Sequence, residues 1–97
     1  IELLKEDSVN PQTASTKAER MIERDKVAAI VGEISSASVL TISQVTDRGR
    51  TLFINTGANS DALRGKDCKK FTFHVECQNS MYVNAVGRSF LAQGMVR

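Results

Sequence analysis

The chain has no apolar run approaching the roughly 20 residues that cross a bilayer. Nor does it contain the charged segment, apolar core and cleavage site of a signal peptide. The second absence says little, because Ile1-Glu2-Leu3-Leu4 begins without an initiator methionine and reads as the inside of a strand. Its 13 basic and 11 acidic residues are scattered for a net charge of +2, and no basic run is long enough to follow a phosphate backbone. Nucleic acid is therefore not an expected partner. A single histidine and two cysteines without close ligand spacing make a poor zinc site. No Gly-x-Ser-x-Gly elbow, Gly-x-Gly-x-x-Gly or Walker sequence is present, and Gly65-Lys66 lacks the preceding glycine spacing of a phosphate loop. His74 has no companion nucleophile or acid in a recognisable pattern, so it reads as a strand residue near a cleft or in the packing. Nothing in the chain calls for a catalytic residue, a metal or a cofactor.

What is present is an average folded composition, 41% hydrophobic and 25% charged over 97 residues, which fits one globular unit and excludes disordered and collagen-like chains. Gly94-Met95-Val96-Arg97 ends as if a strand were starting after a helix-stopping glycine. We read the chain as a fragment, and expect elements lost at either end to leave apolar faces uncovered.

Apolar strand candidates lie at 1–5, 27–31, 51–54 and 71–75, their starts 20 to 26 residues apart. That rhythm fits parallel strands joined by crossovers of a dozen or more residues, hence an open α/β sheet. A first helix is expected over 11–24, with Pro11 in its first turn and Ala14, Ala18, Met21 and Ile22 on one apolar stripe, while Lys17, Glu19, Arg20 and Glu23 face water. A second, over 36–46, carries Val39, Ile42 and Val45, with Ala37 and Leu40 widening the apolar surface. A third, over 79–93, aligns Val83, Val86 and Phe90, with Asn79 as N-cap and Gly94 as stop.

The stretch Val27-Ala28-Ala29-Ile30-Val31-Gly32-Glu33-Ile34-Ser35-Ser36-Ala37 is the most informative. Its apolar run lacks alternation, as in a parallel strand covered on both faces, and Gly32 permits a turn that larger residues resist. Ser35 or Ser36 then opens a helix, whose exposed N–H groups attract an anion; a serine hydroxyl adds a donor, so a carboxylate suits the place. The plainer reading is that these serines only cap the helix. A second polar segment, Asn55-Thr56-Gly57-Ala58-Asn59-Ser60-Asp61, also follows a strand. Ligands of open parallel sheets bind beyond the carboxyl ends of strands, so both segments are expected at one sheet edge as one polar wall.

These pieces, in this order, resemble the extracellular ligand-binding receptor family, type I periplasmic binding proteins that serve branched-chain amino acid ABC transporters. The resemblance rests on Glu6-Asp7-Ser8-Val9-Asn10-Pro11, on residues 19–32, on Ser35-Ser36, on the 55–61 loop with Leu63 and Gly65, and on residues 71–74 before a helix. It implies two α/β lobes joined by a hinge with ligand between them, this chain being most of the amino-terminal lobe, an open three-layer sheet of mainly parallel strands with flanking helices. It further implies that a strand lost before Ile1 belongs inside the sheet, between the strands that start at Ile1 and Val27. The implied function is capture of a small carboxylate-bearing ligand, an amino acid or an aromatic or aliphatic acid, and its delivery to a membrane permease. A periplasmic location is implied, or an extracellular, lipid-anchored one in a Gram-positive source. Position by position, Ser36 matches a hydroxyl that holds the ligand carboxylate and Gly57 a backbone contact, with Ser35 beside them as the better capping candidate. Asn59 stands where amino-acid binders commonly carry threonine or serine. Asn79 falls near a position where relatives can use an acid against the ligand ammonium; as a dipole without full charge it favours a ligand lacking an ammonium group, unless Glu76 compensates. Tyr82 reaches the cleft or seals a core edge.

Two functions compete with this reading: a receptor ectodomain of the same fold, which a spanning helix elsewhere in the protein would mark, and an α/β enzyme related by fold alone. Cys68 and Cys77 invite a bridge in an oxidising compartment. If 71–75 is extended they stand on the order of 20 to 30 Å apart at strand rise, far beyond bridging distance, so partners elsewhere or free thiols are the alternatives.

Overall fold

The computed structural model describes residues 2–95. Asn10 opens helix α1, Pro11–Glu23: its side chain accepts the Thr13 N–H at 2.8 Å, and Pro11 occupies a position whose N–H would have no partner in any case. Strand β1, Ala29–Gly32, leads to helix α2, Ser36–Arg48, then strand β2, Leu52–Asn55, a 3-10 turn over Asp61–Leu63, strand β3, Thr72–His74, and helix α3, Asn79–Ala92. The three strands form one parallel sheet in the order β1-β2-β3. The α/β class, the parallel open sheet and the flanking helices are as expected, and the ends of the six helices and strands that form fall within two residues of expectation.

Strand register sorts the residues into two faces. Ile30, Phe53 and Thr72 are neighbours across the sheet and point to the helical side, where Phe53 is fully buried. Ala14, Ala18, Val39, Ile42, Val45, Ala58 and Leu63 complete that core, with Ile22 and Leu40 packed against it. The core is small because α1 offers only alanines at its closest approach and α2 presents a mixed face. Ser43 and Thr46 are buried there, returning their hydroxyls to the Leu40 and Ser43 carbonyls at 2.8 and 3.1 Å. The buried face of α2 is thus completed with hydroxyl residues, and Ala37, expected to widen the apolar surface, is exposed.

Apolar faces are left open to solvent, and one expected strand is missing. Val31 and Phe73, on the second sheet face, are 63% and 58% exposed, so the unalternated run through β1 is not covered on both sides. Val83, Val86 and Phe90 do share a stripe on α3, but no residue of that helix is buried. The expected strand at 1–5 does not form: residues 2–8 have no ladder, and Ile1 lies outside the described residues. An open groove of about 850 Å³ separates this segment from β1, whereas a ladder partner must lie about 4.8 Å away. Lys17 and Arg20, expected simply to face water, hold the segment by pairing with Glu6, and Lys17 also donates to the Asp7 carbonyl at 2.6 Å.

Helix α3 stops as its sequence demands. Gly94 adopts φ +74°, a left-handed conformation that side chains resist, and its N–H and that of Met95 close on the Leu91 and Phe90 carbonyls. The strand expected to start beyond it falls on Val96 and Arg97, outside the described residues. No helix among the described residues is long and apolar enough to cross a membrane.

Candidate functional site

At the carboxyl end of β1 the backbone turns sharply. Gly32 has φ +134°, open to glycine and costly for other residues, and Glu33 follows at φ +79°. That turn aims the Glu33 carboxylate back at its own backbone, where Oε1 accepts the Ile34 and Ser35 N–H groups, each at 2.9 Å, and Oε2 accepts the Ser8 hydroxyl. Burial pushes the Glu33 carboxyl up, but the Ser8, Ser35 and Ile34 donors together outweigh it and hold it below the usual glutamate range. The ionised form therefore stabilises the fold above the unfolded pKa, and that contribution fades as pH falls through the lowered folded value. Glu33→Gln is expected to flatten the acid limb of stability; thermal melts of both proteins between about pH 3 and pH 7 check this, and parallel curves would refute it.

Ser35 is the N-cap of α2: its hydroxyl oxygen faces the Ser38 N–H at 3.5 Å and its carbonyl accepts Val39 N–H at 2.9 Å. Ser36 is the first helical residue, half-buried, and its hydroxyl has no bond to another described residue. The first-turn N–H groups at Ser36 and Ala37 have no intrahelical acceptor, so this helix start offers donors beside a hydroxyl.

The 55–61 loop closes against this turn. Thr56 N–H donates to the Gly32 carbonyl at 3.3 Å, and Gly57 lies so near that a β-carbon there would sit 3.0 Å from the Ile34 side chain and 3.3 Å from the Glu33 carbonyl. A larger residue at 57 would have to push the Ile34 side chain or the Glu33 carbonyl back by a few tenths of an ångström. The loop is held from within by Asn55, fully buried at the end of β2: its Oδ1 accepts Gly57 and Ala58 N–H at 3.2 and 2.9 Å, and its Nδ2 donates to the Ala58 carbonyl at 2.6 Å.

Beyond β3 the same rim continues. Asn79 N–H donates to the Asn59 carbonyl at 2.7 Å, and the Asp61 carboxylate accepts Ser80 N–H at 3.1 Å. Asn79 is therefore the first residue of α3 and not its cap; Gln78 holds the cap position without a side-chain bond, and the neighbouring loop supplies the acceptor instead. Glu76 does not point freely into a cleft, since its carboxylate takes the Tyr82 hydroxyl and the Cys77 N–H. Those bonds hold Glu76 low, and the bond to Glu76 is the chief reason that Tyr82 is pushed up to about 12. Arg64 donates to the Glu76 carbonyl, and its Nη1 is buried without a partner among the described residues. Cys68 and Cys77 are free and exposed.

The expected residues thus fall on one rim, with Ser35 and Ser36 at the α2 start, Gly57 against the turn preceding it, and Asn59 bonded to Asn79 at the α3 start. Glu33, Asn55 and Arg64 were not singled out from sequence. Asn55 had a signal, because Asn-Thr-Gly-Ala is a chain in which the side chain can accept from backbone two and three residues on. Glu33 and Arg64 had none, since their roles depend on Ser8 and Glu76, distant in sequence.

Residues 1–97, the whole chain, match the family model described as periplasmic binding protein. Among solved structures, a periplasmic binding protein from Burkholderia mallei superposes with a TM-score of 0.81 at 27% identity, over 88% of this chain and 23% of that one. The leucine-binding protein LivK of Thermotoga maritima gives 0.74 at 22% identity, over 90% and 24%. An ABC-transporter solute-binding protein of Rhodopseudomonas palustris, solved with 4-hydroxybenzoate, gives 0.71 at 16%, over 89% and 24%. The last two likenesses show fold alone. This chain spans about a quarter of each of these structures. No curated protein sequence matches it. The family and these solved relatives are binding proteins, not enzymes.

Proposed function

The chain belongs to the periplasmic binding protein family, and on that premise we propose that it is part of the amino-terminal lobe of an ABC-importer solute-binding protein that captures a small carboxylate-bearing ligand. The observation that carries this reading is the junction of two post-strand segments, Thr56 on the Gly32 carbonyl and Gly57 against Ile34, beside the α2 start. It makes one continuous wall where parallel sheets bind ligands. On that wall Ser36 offers its hydroxyl and first-turn N–H to a carboxylate, Ser35 sets the helix start, and Gly57, Asn59 and Asn79 continue the same rim.

A second lobe closes over the wall by a hinge motion, the ligand shifting the equilibrium because it binds the closed state more tightly. The closed form docks on a membrane permease outside the cytoplasm. The site needs no covalent chemistry and no cofactor. Glu33 bears on the ligand class. Asn79 offers no charge to an ammonium group, but the Glu33 carboxylate stands on the same wall, so amino acids and plain carboxylic acids both belong in the screen.

The test is a thermal-shift screen of the two-lobed protein against amino acids, aromatic acids and short aliphatic acids, followed by titration of any stabilising compound. Ser36→Ala is expected to weaken a carboxylate ligand by about 1 to 3 kcal/mol, the range for a hydrogen bond to a charged group. Unchanged affinity would leave Ser36 as a helix residue only. Stabilisation by amino acids alone would overturn the preference drawn from Asn79.

A further inference from the structure

Asn55 and His74 end adjacent strands and are direct partners in the sheet register. The Asn55 amide has one workable orientation, since its oxygen already receives Gly57 and Ala58 N–H and its nitrogen already serves the Ala58 carbonyl. The second amide hydrogen therefore meets His74 Nδ1, 2.9 Å away, which must be an unprotonated acceptor. The ring proton is then on Nε2. We propose that Asn55 and His74 are the positioning pair of the ligand-binding loop: neutral His74 fixes the Asn55 amide that shapes residues 56–58, and a proton on Nδ1 releases it. The proposal rests on the ligand-wall reading above.

Protonation would set two donors against each other at 2.9 Å. Flipping the amide gives no escape, because its NH2 would then face the Gly57 and Ala58 N–H groups. The surroundings keep the ring neutral: burial, then the Arg64 cation, hold His74 below the usual histidine range against the opposing pull of the Leu63 backbone. Around it, Arg64 follows the 3-10 turn with Asp61, which is committed to Ser80 N–H, and Glu76 follows β3, committed to Tyr82 and Cys77. Helix α2, which packs on β3, carries no titratable side chain before Asp47. A histidine with a lowered folded pKa favours the fold above its unfolded value, and that favour is lost as pH falls below it and the unfolded chain takes up the proton first.

The experiment follows backbone amide exchange at Gly57 and Ala58, corrected for intrinsic rates, and the His74 ring 15N shifts in the two-lobed protein as pH is lowered. The expected result is an Nε2–H tautomer at neutral pH and an exchange rate that rises about tenfold at both amides in step with His74 protonation, as for loss of one buried bond. His74→Asn, whose Oδ1 takes the place of Nδ1 as a permanent acceptor, is expected to keep protection and abolish the pH step; His74→Ala is expected to lose protection throughout. An Nδ1–H tautomer, or protection unchanged across the titration, would overturn the pair. Affinity for isoleucine and for 4-hydroxybenzoate is measured on the same proteins. If one of these probes binds, its affinity should fall on acidification in wild type and not in His74→Asn; equal pH dependence in both would overturn the positioning role. A pH step in exchange with neither probe binding supports the pair and counts against the ligand reading alone.

Discussion

Expressed by itself, the 97-residue chain is expected to melt without a cooperative transition and to bind an apolar dye before heating. Its exposed surface is 6876 Å², against about 5,500 Å² for a folded monomer of 10.6 kDa. Its radius of gyration is 16.1 Å, against about 12.5 Å for a compact chain of this length. The excess lies in identifiable places. Helix α3 buries nothing, the face of Val31 and Phe73 is open, and residues 2–8 stand off β1 across the groove. Among the described residues the buried apolar set is three alanines and five larger residues, too few to offset about 1 to 2 kcal/mol of backbone entropy for each ordered residue. A sharp calorimetric peak whose enthalpy matches its van't Hoff value would contradict this, and would mean that the α1–α2–sheet core suffices alone.

Within the full-length protein, Phe53→Ala is expected to have the largest effect on stability of any single truncation among the described residues, about 3 to 5 kcal/mol. Phe53 is the largest fully buried side chain and sits on the central strand, between Ile30 and Thr72. The alanines of the same core, Ala14, Ala18 and Ala58, have no side-chain length with which to fill the vacated space. Such a loss is a large share of the 5 to 15 kcal/mol by which typical domains are stable. Denaturant unfolding checks it: the midpoint should drop while the slope is kept, if the cavity stays and the unfolded state is unaltered. A change below about 1 kcal/mol would mean the site collapses around the alanine, making the core softer than its packing suggests.

Local signals were legible where the determinant is local. Asn10 and Pro11 announce the start of α1, Gly94 its counterpart at the end of α3, and Gly32 a turn that other residues resist. The strand rhythm gave the parallel sheet, and the meeting of the two polar segments follows from both succeeding strands of that sheet. What was misread depends on partners. Residues 1–5 have strand composition, but 2–5 have no ladder partner among the described residues, and the unalternated run through Val31 has one bare side. Asn79 has the right chemistry for a cap, yet Asp61 took that role from across the cleft rim. The Glu33 carboxylate, occupying donors that a guest anion would otherwise find, depends on Ser8 and on a backbone conformation rare for glutamate. No pattern in the sequence encodes either.

Because side chains alternate along a strand, the pairing of β2 with β3 decides more than sheet geometry. The alignment that sets Phe53 beside Thr72 also sets Asn55 beside His74. Slippage by one residue would turn Phe73 inward and carry His74 out to water, so a misaligned strand would damage the hydrophobic centre and disarm the loop together. Correct folding of this edge is thereby its own proofreading step: a copy able to hold the loop in shape is one whose strands have been threaded correctly.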